Sequence, residues 1–134
     1  MEIILISFFT TLGLLVGSFL NALIYRLPRD INIAYPRSSC PNCNKLIYWY
    51  ENIPVISYIL LKGRCSGCGK KISWVYPTIE ITTALFAFLI APKEFSSAAV
   101  FNFLFFFSIF CAFVVHFVVD LKHQILPDSV NVYL

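Results

Sequence analysis

Four cysteines come in two close pairs, Cys40-Pro41-Asn42-Cys43 and Cys65-Ser66-Gly67-Cys68. Two C-x-x-C knuckles can supply four thiolates to one zinc ion, in a tetrahedron with Zn–S of about 2.3 Å. The stretch between them, residues 44–64, slightly exceeds the roughly 15–20 residues usual for this pattern. Gly67 and Gly69 allow the tight turns by which backbone amides approach sulfur. Two other chemistries compete with zinc. Disulfides need an oxidising compartment. A thiol redox motif is usually a single C-x-x-C in a βαβ setting, and that setting is missing here. A zinc ion with four protein ligands keeps no open position for a water, so the expected site is structural. The fifth cysteine, Cys111, stands among Phe110 and Phe113 and reads as an apolar packer.

Carboxylates are the second candidate chemistry. Glu80, Asp120 and Asp128 lie in or beside apolar stretches, where acids are costly and face a protein interior or a watery cavity. Each can also be a charge that merely ends a span. His116 and Asp120 are four residues apart and share a helix face. That pairing can tune a proton or simply satisfy two polar groups within the bundle. Peptide hydrolysis by carboxylates needs two of them, one ionised and one protonated. Asp120 and Asp128 are poor partners. Pro127 is expected to break a helix between them, and an unbroken helix would hold them about 12 Å apart at roughly 1.5 Å per residue.

The elements that must position these groups are mostly apolar. Of 134 residues, 59% are hydrophobic and 13% charged, and the mean hydropathy is +0.79. Soluble domains are about a quarter charged, and 14 phenylalanines are too many for a small water-soluble core. Residues 3–25 carry no charge and suffice to cross a bilayer. Within them Gly13 and Gly17 form a small-xxx-small pair that lets another helix approach, or are glycines a membrane helix merely tolerates. Asn21 is expected to hydrogen-bond inside the bundle. The run starts without a basic segment and is too long for a signal core, so it reads as a retained span.

Residues 26–71 differ in kind. They hold eight of the ten lysines and arginines, four cysteines, and most of the prolines and glycines. Such a basic stretch could touch nucleic acid. Between apolar spans it fits better as a cytoplasmic loop under the positive-inside rule, with no nucleic-acid partner. The apolar segment 53–61 contains Pro54 and is too short to span; it packs on the module or lies at the membrane surface. Residues 72–92 are a weaker span containing Pro77 and Glu80, with Trp74 and Tyr76 suited to an interface belt. Residues 95–119 are a strong one that stops abruptly at Asp120, and the phenylalanines of 101–110 read as lipid-facing bulk. No internal repeat is evident. The expected fold is an all-α integral membrane protein of about three transmembrane helices (1–25, 72–92, 95–119), with a small cytoplasmic four-cysteine zinc module (26–71) and a tail, 120–134. The N-terminus is then outside, and Asp120 closes the third span on the cytoplasmic side.

Several stretches, in order, resemble one family. They are Gly17-Ser18-Phe19-Leu20-Asn21 with Tyr25-Arg26-Leu27-Pro28; Cys40-Pro41-Asn42-Cys43; Asn52-Ile53-Pro54-Val55-Ile56-Ser57-Tyr58 with Gly63-Arg64-Cys65, Cys68-Gly69, Ile72-Ser73, Tyr76-Pro77 and Glu80; and Asp120 with Leu126-Pro127-Asp128. Together they resemble the bacterial type IV prepilin peptidases, which are bifunctional leader peptidase/N-methyltransferase enzymes. The resemblance implies an aspartyl endopeptidase of the inner membrane that removes leaders from prepilins and pseudopilins at the cytoplasmic face. It also implies methylation of the new N-terminus with S-adenosylmethionine. Asp120 corresponds to the family's first catalytic aspartate; Asp128 belongs to the motif that follows. The second catalytic aspartate lies in a Gly-x-Gly-Asp motif on a later span, and no such motif occurs here. The chain therefore looks like the N-terminal portion of the enzyme, expected to be inactive without the missing C-terminal membrane half. A non-catalytic membrane-anchored zinc module, and a membrane thiol oxidoreductase, are the alternatives.

Overall fold

The computed structural model describes the backbone of residues 1–131 and the side chains of residues 1–122. It is mostly helical, with α1 (Glu2–Arg26), α2 (Ile56–Leu60), α3 (Val75–Ile90) and α4 (Ser97–Asn131). Among the described residues there is no strand, only two isolated antiparallel bridges in the cysteine module. Helices α1 and α4 have the length and apolarity to cross a bilayer; α3 is apolar but shorter.

Close approach of α1 and α3 follows from two glycines. A Cβ on Gly13 would stand 2.7 Å from the Ala87 side chain and 2.9 Å from the Ala84 backbone; one on Gly17 would stand 2.7 Å from the Glu80 Cα. These pairings run in opposite directions, so the helices are antiparallel. The close-approach reading of the glycine pair is the one realised. Thr83 is fully buried beside Gly17, its hydroxyl donating to the carbonyls of Ile79 and Glu80 in its own helix. Asn21 donates from Nδ2 to the Tyr76 carbonyl at 3.0 Å, the bond within the bundle that its position suggests.

Helix α4 closes the bundle in two apolar clusters. Phe9 and Ala87 pack with Phe103 and Phe107. Leu20, Ile24 and Ile79 pack against Val114, Val115, Val118 and Val119, with Cys111 touching both clusters. The phenylalanine run is thus not all lipid-facing bulk: Phe103 and Phe107 form the core while Phe101, Phe105 and Phe106 are exposed. A 3.6-residue period sends every fourth side chain inward whatever the run's composition.

Two boundaries differ from expectation. The charge-free run ends at Asp120, but α4 continues to Asn131, past Pro127. A proline costs one ladder bond and a ring clash, which here does not end a 35-residue helix. The second apolar helix begins at Val75, after the second knuckle and its exit.

Candidate metal centre

The two knuckles are built by one backbone device used twice. In the first, Cys40 N–H donates to the Lys45 carbonyl, Asn44 N–H to the Cys40 carbonyl, and Ile47 N–H to the Ser38 carbonyl. In the second, Cys65 N–H donates to Lys70, Gly69 N–H to Cys65, and Ile72 N–H to Gly63. Each bond recurs 25 positions later, and the bridges Ser39 to Leu46 and Arg64 to Lys71 do the same. A repeat is therefore present, contrary to expectation. Its sequence trace is Cys-x-x-Cys-x-Lys-x-Ile at 40–47 and 65–72, too short to stand out before the turns are seen. Asn44 and Gly69 occupy the matching turn position with φ of 57° and 69°, the left-handed region that asparagine and glycine tolerate. Gly67 is needed for space instead: a Cβ there would meet Lys45 Cδ at 3.0 Å and Cys43 Sγ at 3.3 Å.

The knuckles face each other so that Cys40 Sγ lies 3.9 Å from Cys68 Sγ, and Cys43 Sγ 3.9 Å from Cys65 Sγ. All four sulfurs fall within 4.8 Å of one another. A tetrahedron with Zn–S of about 2.3 Å has sulfurs about 3.8 Å apart, so two of the pairs already stand at that spacing and the whole array is close to what such an ion needs. A disulfide needs about 2.05 Å, and all five cysteines are free thiols.

Backbone amides prepare the sulfurs. Amides of Cys43 and Asn42 point at Cys40 and lower its pKa. The Lys70 amide, with the Asn42 side chain, brings Cys68 down to about 6. The Lys45 amide favours the Cys43 thiolate, but desolvation and three neighbouring thiols outweigh it and push Cys43 up to about 11. Four thiolates at this spacing repel unless a cation sits among them, so metal binding must release protons.

A polar clamp ties the knuckles together from outside. Glu51 accepts from Lys45 Nζ at 3.0 Å, from the Tyr48 amide at 3.0 Å and from the Ser66 hydroxyl. Lys45 follows the first knuckle and Ser66 lies within the second. The Ser66 hydroxyl, the Tyr48 amide and the Lys45 ammonium together hold the Glu51 carboxyl down at about 2. The spacing of charges in the sequence carries no sign of this clamp.

A second anchor joins the module to the helices. Val55 N–H donates to Glu80 Oε2 at 2.7 Å, and Glu80 is buried. Val55 has φ of 61°, a strained value for a β-branched residue. Glu80 is therefore not a charge that merely ends a span. Between knuckles, α2 and α3 lies a cleft of about 370 Å³, whose wall includes Cys40, Tyr58, Tyr76 and Glu80.

The remaining acids are not gathered here. Asp120 is exposed on α4, as is His116. They share a helix face, but no hydrogen bond joins them among the described residues, so the contact expected within the bundle is not made. The side chain of Asp128 lies outside the described residues.

Residues 11–93 match the family model described as the bacterial peptidase A24 N-terminal domain. A prepilin leader peptidase/N-methyltransferase of Myxococcus xanthus is 52% identical over 81 residues, covering 60% of this chain and 24% of that protein. One of Vibrio cholerae is 38% identical over 136 residues, covering 96% of this chain and 53% of that protein. A type 4 prepilin-like proteins leader peptide-processing enzyme of Escherichia coli is 40% identical, covering 87% and 49%. The chain thus spans about half the length of the latter two and about a quarter of the first. No solved structure matches it. The matched region runs from α1 through both knuckles to the end of α3, and the chain belongs to the prepilin leader peptidase/N-methyltransferase family, of which it carries the N-terminal domain.

Proposed function

We propose that this chain is the zinc-stapled N-terminal part of an intramembrane aspartyl peptidase. It acts on prepilins or pseudopilins at the cytoplasmic face of the inner membrane. The observation that carries the reading is the four-sulfur cluster inside the region matched to the bacterial A24 peptidase domain. A relative that aligns with nearly all of this chain bears the name prepilin leader peptidase/N-methyltransferase. Zinc at Cys40, Cys43, Cys65 and Cys68 would be structural, since four protein ligands leave no place for a reacting water. Its task is to fold residues 26–71 against the helices. Three spans, α1, α3 and α4, leave the N-terminus outside and put the module and Asp120 on the cytoplasmic side, in accord with the basic residues of the loop.

Asp120 would provide one of the two carboxylates for peptide hydrolysis. One carboxylate takes a proton from water while its protonated partner donates to the scissile carbonyl. The partner carboxylate would come from polypeptide outside these residues. Asp120 is exposed at one end of the apolar part of α4, open to such a partner. S-adenosylmethionine would supply the methyl group for the family's second activity. The glycines of this chain sit at the helix contact and in the cysteine turns, not in a cofactor loop.

The test supplies the other half. Incubated alone with a prepilin, these residues should leave the leader in place. Co-reconstituted with the C-terminal half of a full-length relative, they should restore cleavage, and Asp120→Asn should abolish it. Leader removal that survives Asp120→Asn overturns the assignment. One zinc per chain, with thiols unreactive until chelation, separates this reading from a thiol oxidoreductase.

A further inference from the structure

Helix α2 is short, yet its outward face is strongly apolar. Ile56, Ile59 and Leu60 are 55%, 66% and 75% exposed. At spacings of three and four residues they form one face. The opposite side turns into the module: Ser57 is buried, and the Tyr58 hydroxyl reaches the Ile72 carbonyl. Among the described residues, nothing in the module covers the outward face.

The depth of this face follows from the Glu80 anchor. Glu80 abuts Gly17 of α1, which lies nine residues before Arg26, the first basic residue of the chain. At about 1.5 Å per residue, Gly17 is about 13 Å below the level of Arg26. The reach of a glutamate side chain recovers only part of that depth. Since Val55 N–H is bonded to Glu80, the segment entering α2 lies beside the last turns of α1, not above them. A soluble loop would stand clear of the apolar level; this one is tied down into it.

Charge points the same way. Lys62, Arg64 and Lys71 are clustered just past α2 or opposite it across the Arg64–Lys71 bridge. Among the described residues none has an acidic partner; the one ion pair there is Lys45 with Glu51. Basic groups bordering an apolar helical face suit anionic lipid, which attracts Lys and Arg at the membrane surface.

We propose that α2 is a membrane-interface helix that inserts Ile56, Ile59 and Leu60 among the acyl chains of the leaflet on the module side, with Lys62, Arg64 and Lys71 on anionic phospholipid headgroups. The proposal rests on the reading of α1 and α4 as membrane spans. It gives the cysteine module a fixed floor, with the cleft walled by α2 and α3 held next to the lipid surface.

The test is fluorescence quenching in the zinc-loaded full chain, with Trp49 and Trp74 replaced by Phe and a single tryptophan introduced elsewhere. Leu60→Trp reports on α2, Tyr35→Trp on the exposed loop, and Phe105→Trp on the α4 span. Vesicles contain either brominated phosphatidylglycerol or brominated phosphatidylcholine. Helix content and one zinc per chain confirm that each variant is folded. The expected result is quenching at 60 by shallow-brominated chains, none at 35, and quenching at 105 by deep-brominated chains. Brominated phosphatidylglycerol should quench position 60 more than phosphatidylcholine does, and Lys62→Glu with Arg64→Glu should remove that preference. A position 60 that behaves like position 35, while 105 is quenched, overturns the proposal and leaves the spans standing. Failure at 105 overturns both. A second copy covering α2 would leave position 60 unquenched at low and high lipid ratios alike while the chain remains dimeric, and it too would overturn the proposal.

Discussion

The cysteine module and the helical bundle are held by opposite means. The bundle relies on the absence of side chains: Gly13 and Gly17 let α3 come close enough that a single methyl would collide with its backbone. The module has almost no apolar interior. Apart from Cys40, its buried residues are few, and its order comes from turn hydrogen bonds, the Glu51 clamp and four convergent sulfurs. A small unit that cannot bury enough apolar surface needs a staple. Metal removal and helix-contact mutations should therefore damage separate parts of one chain, linked at Glu80.

Loss of the metal should separate the two regions most. Structural zinc binding contributes about 10–16 kcal/mol in small domains near neutral pH. Cys65→Ser, or a strong chelator, should open residues 30–71 to protease while the helix content of α1 and α4 persists in detergent. A module still protected after the metal is gone would show that the clamp alone suffices.

Next comes Gly17→Leu. A Cβ at this position would collide with Thr83 Oγ1 and lie 2.7 Å from the Glu80 Cα; the latter is backbone and cannot swing away. Overpacking typically costs about 1–3 kcal/mol, and more is expected where the clash is with main chain. Cross-linking yield between α1 and α3 should fall sharply, with zinc still at one per chain.

Glu80→Ala is intermediate and tests the link itself. It orphans the Val55 amide, at a cost of about 1–3 kcal/mol. Hydrogen exchange at Val55 and Ile56 should accelerate with little change at the knuckles. If the knuckle amides exchange as fast as those two, module and helices are not separable.

The smallest effect concerns pH. Glu51 is held at about 2 against an ordinary 4.5, so the folded state favours its charged form. Its contribution to stability is complete above pH 4.5 and is lost as pH falls through 2. The stability difference between wild type and Glu51→Gln should therefore be flat at neutral pH and shrink below 4.5, as read by denaturant midpoints of the module taken at a series of pH values. A difference that grows with acidification contradicts the clamp.

Much of this was legible in the residues. The knuckles, the apolar helices α1 and α4, the glycine pair and the inward Asn21 all depend on spacing within a few residues of chain, which sequence displays directly. The inward turn of Phe103 and Phe107 was available from helical period but hidden by a uniform run of phenylalanine. Less visible was the 25-residue repeat, because the matching elements are backbone bonds and only four of eight side chains agree. Asp120 stands apart: its place at the end of the charge-free run is legible, while the catalytic role proposed for it is not.

The order of residues alone settled which segments are apolar, which thiols come in pairs and where small residues permit contact, because those properties are local. Folding was needed to set Cys40 against Cys68 and Cys43 against Cys65, to bridge both knuckles with Glu51, and to carry Glu80 to Val55. Those partners are brought together by turns and helix packing, and a carboxylate carries no mark in sequence of the amide it will meet.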